Sequence, residues 1–339
     1  MVVDDLAALT GPADVLDDLS ILRRPEPLVV RLAGPVPSDL AAAAAADVLR
    51  RAPTVTVVEG DPDHVPAPLA EAADVCLTSR SGAPRPWVTG SADDVEVAVA
   101  AQPLAAVALV TLLRVAAGLG PWEALTAESA TYGMLLGSAA HRSWLERRGP
   151  ALVRSPARPP VSVERRGATL AILLDRAEVR NAIDRATRDA LVEALGLVVA
   201  DPSVTAVSLA GAGPCFSAGG DLAEFGTVAD GATAFAVRLA RHPGWAVHRV
   251  AERVTAHVHG PCVGAGVEIP AFAGRLVATP TTTFRLPELA MGLVPGAGGT
   301  VSITRRIGRQ RTAWLALTGH QLDAPTAHTW SLVDHIDPA

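Results

Sequence analysis

Two glutamates twenty positions apart, Glu268 and Glu288, each stand beside a glycine-rich turn. Glu268 ends the run His259-Gly-Pro-Cys-Val-Gly-Ala-Gly-Val-Glu268. Glu288 lies in Phe284-Arg-Leu-Pro-Glu288-Leu-Ala-Met-Gly-Leu-Val-Pro295-Gly-Ala-Gly-Gly299. A third such segment, Cys215-Phe-Ser-Ala-Gly-Gly-Asp221-Leu222, lies upstream. A carboxyl can take or give a proton, and a glycine turn can bring backbone N–H groups close to a ligand. N–H donors aimed at one point stabilise an oxygen that gains negative charge. The combination suits proton movement beside a carbonyl, so the chain reads as an enzyme.

Several neighbours read more plainly. Asp221 suits a helix cap, and His259, just before a turn glycine, suits a structural hydrogen bond. Cys215 and Cys262 suit small packed hydrophobes. Trp122, Trp144 and Met134 are expected in the core.

Composition narrows the function classes. The chain has 339 residues, 49% hydrophobic and 19% charged, enough apolar surface for two domains or one large one. All its basic side chains other than histidine are arginine, and the net charge is −6. That balance argues against a nucleic-acid partner, which needs a basic surface. Three widely spaced cysteines, Cys76, Cys215 and Cys262, fit neither a disulfide framework nor a zinc site, and a cytoplasmic location is expected. The acidic start Met1-Val-Val-Asp-Asp-Leu6 lacks the basic and apolar regions of a signal peptide. The most apolar helical stretch, near residues 104–117, holds Arg114 and is too short to cross a bilayer, so no membrane partner is expected.

The elements that must position the glutamates fall into three parts. In residues 1–148, Leu28 to Leu32 and Val55 to Val58 read as strands flanking a helix capped by Ser38 and running to Arg51. Asp74 to Leu77 is a third strand candidate. Ser91 followed by acids marks a helix start, with Leu104, Ala108, Leu112 and Val115 on one face of the apolar stretch. A second helix begins near Pro121. Residues 149–160 contain four prolines and read as a linker. Residues 161–339 open with a strand from Thr169 to Leu174, then an amphipathic helix from Asp184 to Val199. Strands follow at Val204 to Leu209, Val254 to Val258 and Leu276 to Ala278. Alternating strands and helices predict an α/β architecture with mostly parallel strands.

Residues 162–337 resemble the crotonase superfamily, also called the enoyl-CoA hydratase/isomerase family. The match runs through Leu174-Asp-Arg-Ala-Glu-Val-Arg-Asn-Ala-Ile183, Ala210 to Leu222, Gly260 to Ile269, Leu286 to Thr300, Leu317-Thr-Gly319 and Leu332-Val333. The resemblance implies a stacked β-β-α spiral core and an acyl-CoA thioester substrate, with coenzyme A as part of the substrate and no other cofactor or metal. It implies an oxyanion hole from the N–H groups of Gly220 and Ala265, where Ala265 stands at a position that is often glycine in the family. Glu268 and Glu288 match the two glutamates of the hydratase members, and the Gly296 N–H matches the group that holds the water. Arg180 could reach a coenzyme A phosphate or sit in a surface salt bridge.

The same resemblance sets expectations for the rest of the chain. Family members end in a helical tail that lids the acyl pocket, and this sequence stops at Asp337-Pro-Ala339, where that tail would begin. Residues 102–148 look like such a tail. The first 148 residues are therefore expected to be a degenerate crotonase-like unit whose helical tail covers the second unit's site. A homo-oligomer, trimer or hexamer, is the family expectation. The expected reaction is hydration of a 2-enoyl-CoA or its reverse. Isomerisation, thioester hydrolysis, carbon–carbon bond cleavage and a non-catalytic acyl-CoA-binding scaffold are the alternatives.

Overall fold

Strands buried on both faces carry near-continuous apolar runs, and the first sheet is built from such runs. The computed structural model describes residues 1–4, 6–9, 19–32, 38–153 and 156–337. Parts of the expected first block (33–37), of the proline-rich stretch (154–155) and of the chain end (338–339) lie outside the described residues.

Strands β1 (Val2–Val3), β2 (Leu28–Leu32), β3 (Thr56–Gly60), β4 (Val75–Thr78) and β5 (Val88–Thr89) pair in that order, all parallel. Helix α1 (Asp39–Arg51) follows β2, and Ser38 caps it by accepting the Ala41 N–H at 3.4 Å. Its buried face is almost all alanine (Ala42, Ala45, Ala46, then Leu49), which lets the helix lie close to the sheet. Helix α2 (Ala67–Ala72) joins β3 to β4. Side chains alternate along the strands: Val29, Val57, Val75 and Leu77 join one core, and Leu28, Val30, Val58 and Cys76 the other.

Four helices follow. α3 (Asp93–Ala101) starts after Ala92 with no side-chain cap, so the Ser91 hydroxyl does not play the part its sequence suggests. α4 (Pro103–Ala116) buries Ala105, Ala106, Leu109, Val110, Leu112 and Leu113. Leu104 and Val115 are exposed, so the expected face is rotated away from the true one. α5 (Pro121–Leu136) buries Leu125, Glu128, Ser129, Tyr132 and Leu135, while Met134 is 64% exposed and not core. Trp122 and Trp144 are half-buried rather than core. α6 is Ala139–Arg148. No single helix among the described residues is long and apolar enough to cross a membrane. The described part of residues 149–160 carries no helix or strand.

The second half opens with a hairpin, β6 (Val161–Arg166) and β7 (Thr169–Leu174), the one antiparallel pair in its main sheet. α7 (Arg185–Ala200), capped by Asp184, leads to β8 (Ala206–Gly211). α8 (Gly231–Ala240) and α9 (Pro243–His248) precede β9 (Val254–Val258). β10 (Pro261–Val263), the short α10 (Ala265–Glu268), β11 (Arg275–Ala278) and β12 (Thr283–Arg285) follow. α11 (Gly299–Ile307), α12 (Arg309–Thr318), β13 (Leu322–Asp323), α13 (Ala324–Thr329) and β14 (His335–Ile336) complete the chain. The main sheet runs β14-β11-β9-β8-β7-β6, and a second sheet runs β10-β12-β13. The mixed α/β architecture with mostly parallel strands is as the sequence predicts.

The two halves share one core, which takes Val57, Leu109 and Leu125 from the first and Leu209, Ile303 and Leu315 from the second. Polar groups bind them as well. Arg309 reaches the buried Asp74 at 3.0 Å and the carbonyls of Glu71 and Ala73 at 2.7 and 2.8 Å. Arg114 meets the same Asp74 through Nε at 2.8 Å.

Candidate functional site

Each glycine-rich turn carries an N–H with no acceptor among the described residues. Asn181 builds the first from beneath. It is fully buried with φ of +52°. Its Nδ2 donates to the carbonyls of Ala212, Cys215 and Phe216 at 2.7–3.1 Å, and its Oδ1 accepts the Arg176 N–H at 2.9 Å. Ser217 continues the frame, donating to the Asn181 carbonyl at 2.7 Å and accepting the Gly219 N–H at 3.1 Å. Ile183 then bridges across Gly220: its N–H donates to Gly219 and its carbonyl accepts from Asp221. Gly220 itself therefore points its N–H away from the bridge, and no acceptor meets it among the described residues. Gly219 has φ of +92°, and a Cβ there would fall 2.4 Å from the Val263 carbonyl oxygen and 3.7 Å from the Ala265 nitrogen. Only glycine allows that approach, which brings the first turn against the second.

In the second turn Gly264 has φ of +50° and opens α10. Its carbonyl accepts from Val267 and Glu268, leaving the Ala265 N–H without an acceptor among the described residues. Ala265 is helical, a conformation alanine takes without strain, so its methyl does not disturb the turn. A Cβ on Gly264 would sit 2.4 Å from Glu288 Oε1 and 3.9 Å from Glu268 Oε1, so both carboxyls converge beside this turn.

The third turn, residues 295–300, fixes Glu268. Its Oε2 accepts the N–H groups of Ala297 and Gly299, both at 2.8 Å. The intervening donors go to a residue the sequence did not single out as a site group. Glu128 of α5 accepts the Gly298 N–H on Oε1 at 2.7 Å, and Thr300 N–H and Oγ1 on Oε2 at 3.0 and 2.6 Å. Gly296 N–H meets no acceptor among the described residues.

Burial sets the electrostatics of this group. It raises Glu288 well above the ordinary carboxyl range, and the Glu268 charge adds to the rise; Glu288 Oε2 is buried without a partner. Burial also raises Glu268, opposed by the two N–H groups and by Arg238. Glu128 is pushed up to about 8, by burial first and the Glu268 charge second.

A cavity of about 580 Å³ joins Gly220, Ala265, Glu268, Glu288 and Gly296. Helices α5 and α6 form one wall through Tyr132, His141 and Leu145. Arg238 of α8 lies 3.7 Å above the Tyr132 ring and donates to the Gly296 carbonyl at 3.0 Å. His141 is buried, with Nδ1 2.9 Å from the Met291 carbonyl, and Trp144 stacks on its ring. Phe225 lines the cavity. Arg185 and Arg188 also line it, whereas Arg180 is exposed and outside the lining. Asp221 caps a turn by accepting the Ala223 N–H at 2.9 Å. His259 Nε2 lies 2.9 Å from the Gly213 carbonyl, and Cys215 and Cys262 are buried.

Sequence reasoning missed Glu128, Tyr132 and Arg238 as site groups. A signal for Glu128 was present. Leu125, Glu128, Ser129 and Tyr132 share one helical face, so an acid sits in an otherwise apolar-facing stripe.

Comparison with known proteins bears on the half of the chain that carries the site. The family model described as enoyl-CoA hydratase/isomerase matches residues 164–339. The mevalonyl-coenzyme A hydratase SIDH of Beauveria bassiana is 35% identical over 177 residues, half of this chain and 63% of that protein. The 2,3-dehydroadipyl-CoA hydratase of Escherichia coli is 31% identical over 52% of this chain and 69% of its own length. Among solved structures, the enoyl-CoA hydratase of Mycobacterium smegmatis superposes with a TM-score of 0.50 at 30% identity, covering 53% of this chain and 71% of that one. The chain thus spans less than two thirds of the first of these relatives. On the matched half, with its three turns and two convergent glutamates, the chain belongs to the enoyl-CoA hydratase/isomerase family.

Proposed function

We propose that this protein is an enoyl-CoA hydratase, adding water across a 2-enoyl-CoA or removing it in reverse. The observation that carries the reading is the meeting of Glu268 and Glu288 beside the free N–H groups of Gly220 and Ala265 in one cavity. The thioester oxygen accepts both N–H groups and takes negative charge as the enolate forms; losing one such donor typically costs about 10²–10³ in rate. Gly296 N–H holds a water between the glutamates. One carboxylate takes a proton from that water as its oxygen bonds to the β-carbon. The other glutamate, protonated, delivers a proton to the α-carbon, and the pair returns to its starting charge once the protons re-equilibrate.

Both carboxyls in one place favour hydration over isomerisation or a scaffold role, since neither alternative needs two. No redox cofactor or metal is called for, and coenzyme A enters as part of the substrate. We further propose that residues 1–148 are a degenerate crotonase-like unit whose helices α5 and α6 serve as the lid, and residues 161–339 the catalytic core. A cytoplasmic homo-oligomer, trimer or hexamer, is in keeping with the family; light scattering reads its mass.

The test is hydration of short, long and aromatic 2-enoyl-CoAs, followed as loss of the conjugated absorbance, with Glu268→Gln alongside. Turnover that falls by about 10²–10⁴ in the variant is the expected result. Binding of acyl-CoA without turnover of any of them defeats the reading.

A further inference from the structure

Four consecutive amides, from Ala297 to Thr300, are divided alternately between two buried carboxyls. Glu268 takes the first and third; Glu128 takes the second and fourth. Glu268 comes from the family-matched half of the chain, and Glu128 from a helix about 170 residues upstream of the turn. The arrangement has a physical logic. Successive amides of a turn at a helix N-terminus cannot all reach one carboxylate, and a buried N–H left unpaired is costly. A second acceptor on the opposite side completes the turn, and α11 begins from it.

The turn does three things at once: it orients Glu268 through Ala297 and Gly299, presents Gly296 N–H to the cavity, and starts α11. Glu128 has no route to a substrate, being fully buried with both oxygens engaged. It acts through the turn. Resting on the hydratase reading above, we propose that Glu128 is a positioning residue of the reaction, holding alternate amides of the 297–300 turn so that Glu268 and the Gly296 N–H keep their places.

Burial and the Glu268 charge raise the Glu128 carboxyl, and the Gly298 and Thr300 donors oppose the rise. Glu268 and Glu288 face Glu128 with like charge, Arg238 counters on the Glu268 side, and the Tyr132 phenol lies one turn along the same helix.

The test compares Glu128→Gln, Glu128→Ala and Thr300→Val with the wild type, each checked first by thermal melting. Glutamine keeps the volume but turns an NH2 towards one of the amides, and valine removes only the hydroxyl donor. For a positioning residue, kcat of both Glu128 variants falls about 10²-fold, since a misplacement near 1 Å costs that much. Thr300→Val loses a smaller factor. Affinity for a non-reacting acyl-CoA stays within threefold, because the Gly220 and Ala265 donors are untouched. A folded Glu128→Ala with unchanged kcat overturns the proposal, as does a matched loss of affinity and kcat. If the wild type hydrates no enoyl-CoA, the hydratase reading fails separately. A crystal structure of Glu128→Ala then decides the positioning role: Ala297 and Gly299 amides displaced from Glu268 uphold it, and amides in place overturn it.

Discussion

Replacing Glu288 by glutamine separates what the carboxyl does for catalysis from what it costs the fold. Glu288 Oε2 is buried with no partner, and its Oε1 lies beside Gly264, as does Glu268 Oε1. Glutamine keeps the shape and discards the proton chemistry. Loss of a general acid–base group costs about 10²–10⁴ in kcat, which corresponds to roughly 3–5 kcal/mol of transition-state stabilisation. Stability moves the other way. The folded-state pKa of Glu288 is raised, so the protonated form is the stable one in the fold. Its contribution is complete below the ordinary carboxyl range and is lost as pH rises through the folded value. The wild type therefore loses stability towards alkaline pH, and Glu288→Gln, which cannot ionise, loses less. The assay pairs enoyl absorbance kinetics with melting curves at pH 5 and pH 9. At pH 9 the variant is expected to melt higher, by on the order of 2 °C per kcal/mol recovered. A variant that keeps kcat within threefold, or that melts lower than wild type at pH 9, refutes the reasoning.

Gly296→Ala places a methyl 2.3 Å from Tyr132 Cδ2, against a ring that also packs on Arg238. The turn must shift, and kcat is expected to fall about 10²-fold with little change in acyl-CoA affinity by calorimetry; an unchanged kcat rules out a role for that N–H. Asp74→Ala leaves Arg114 and Arg309, both part-buried, without their shared carboxylate. Removing one partner of a buried ion pair costs about 3–5 kcal/mol, so urea midpoints are expected to drop clearly, and a shift near zero contradicts the view that Asp74 ties the two halves together. Glu128, raised to about 8 from an ordinary 4.5, gives a further sign. Its stabilisation is present below about 4.5 and is lost as pH climbs through about 8, so the melting temperature of Glu128→Gln falls less than that of the wild type between those limits.

Legibility in the sequence tracked the strength of the local signal. Strands at 28–32, 169–174 and 254–258 match their apolar runs residue for residue, and Ser38 caps the helix it was expected to cap. The two-residue strands β1, β5, β13 and β14 went unread, because so short a segment has no period. The face of α4 was misplaced for a different reason. Its sequence is apolar nearly all round, so only the packing decides that Leu109 and Leu113 go in while Leu104 stays out. At the site, Glu268, Glu288 and the turns lie close in sequence and were readable as motifs. Glu128 and Tyr132 enter from a helix far upstream, and no local pattern announces a contact across that distance.

The shared core also decides how the chain could be divided. A cut within the described part of residues 149–160 would sever no helix or strand. Each fragment, however, would carry away half of a common apolar surface, with Val57 and Leu125 on one piece and Leu209 and Leu315 on the other. The first fragment would bare Asp74 to water, and the second would strand Arg309 and the amides of Gly298 and Thr300. Fragments of this kind behave as obligate partners, each the other's missing interior. The break in the chain would be covalent only, leaving a two-piece protein whose assembly and whose site are one event.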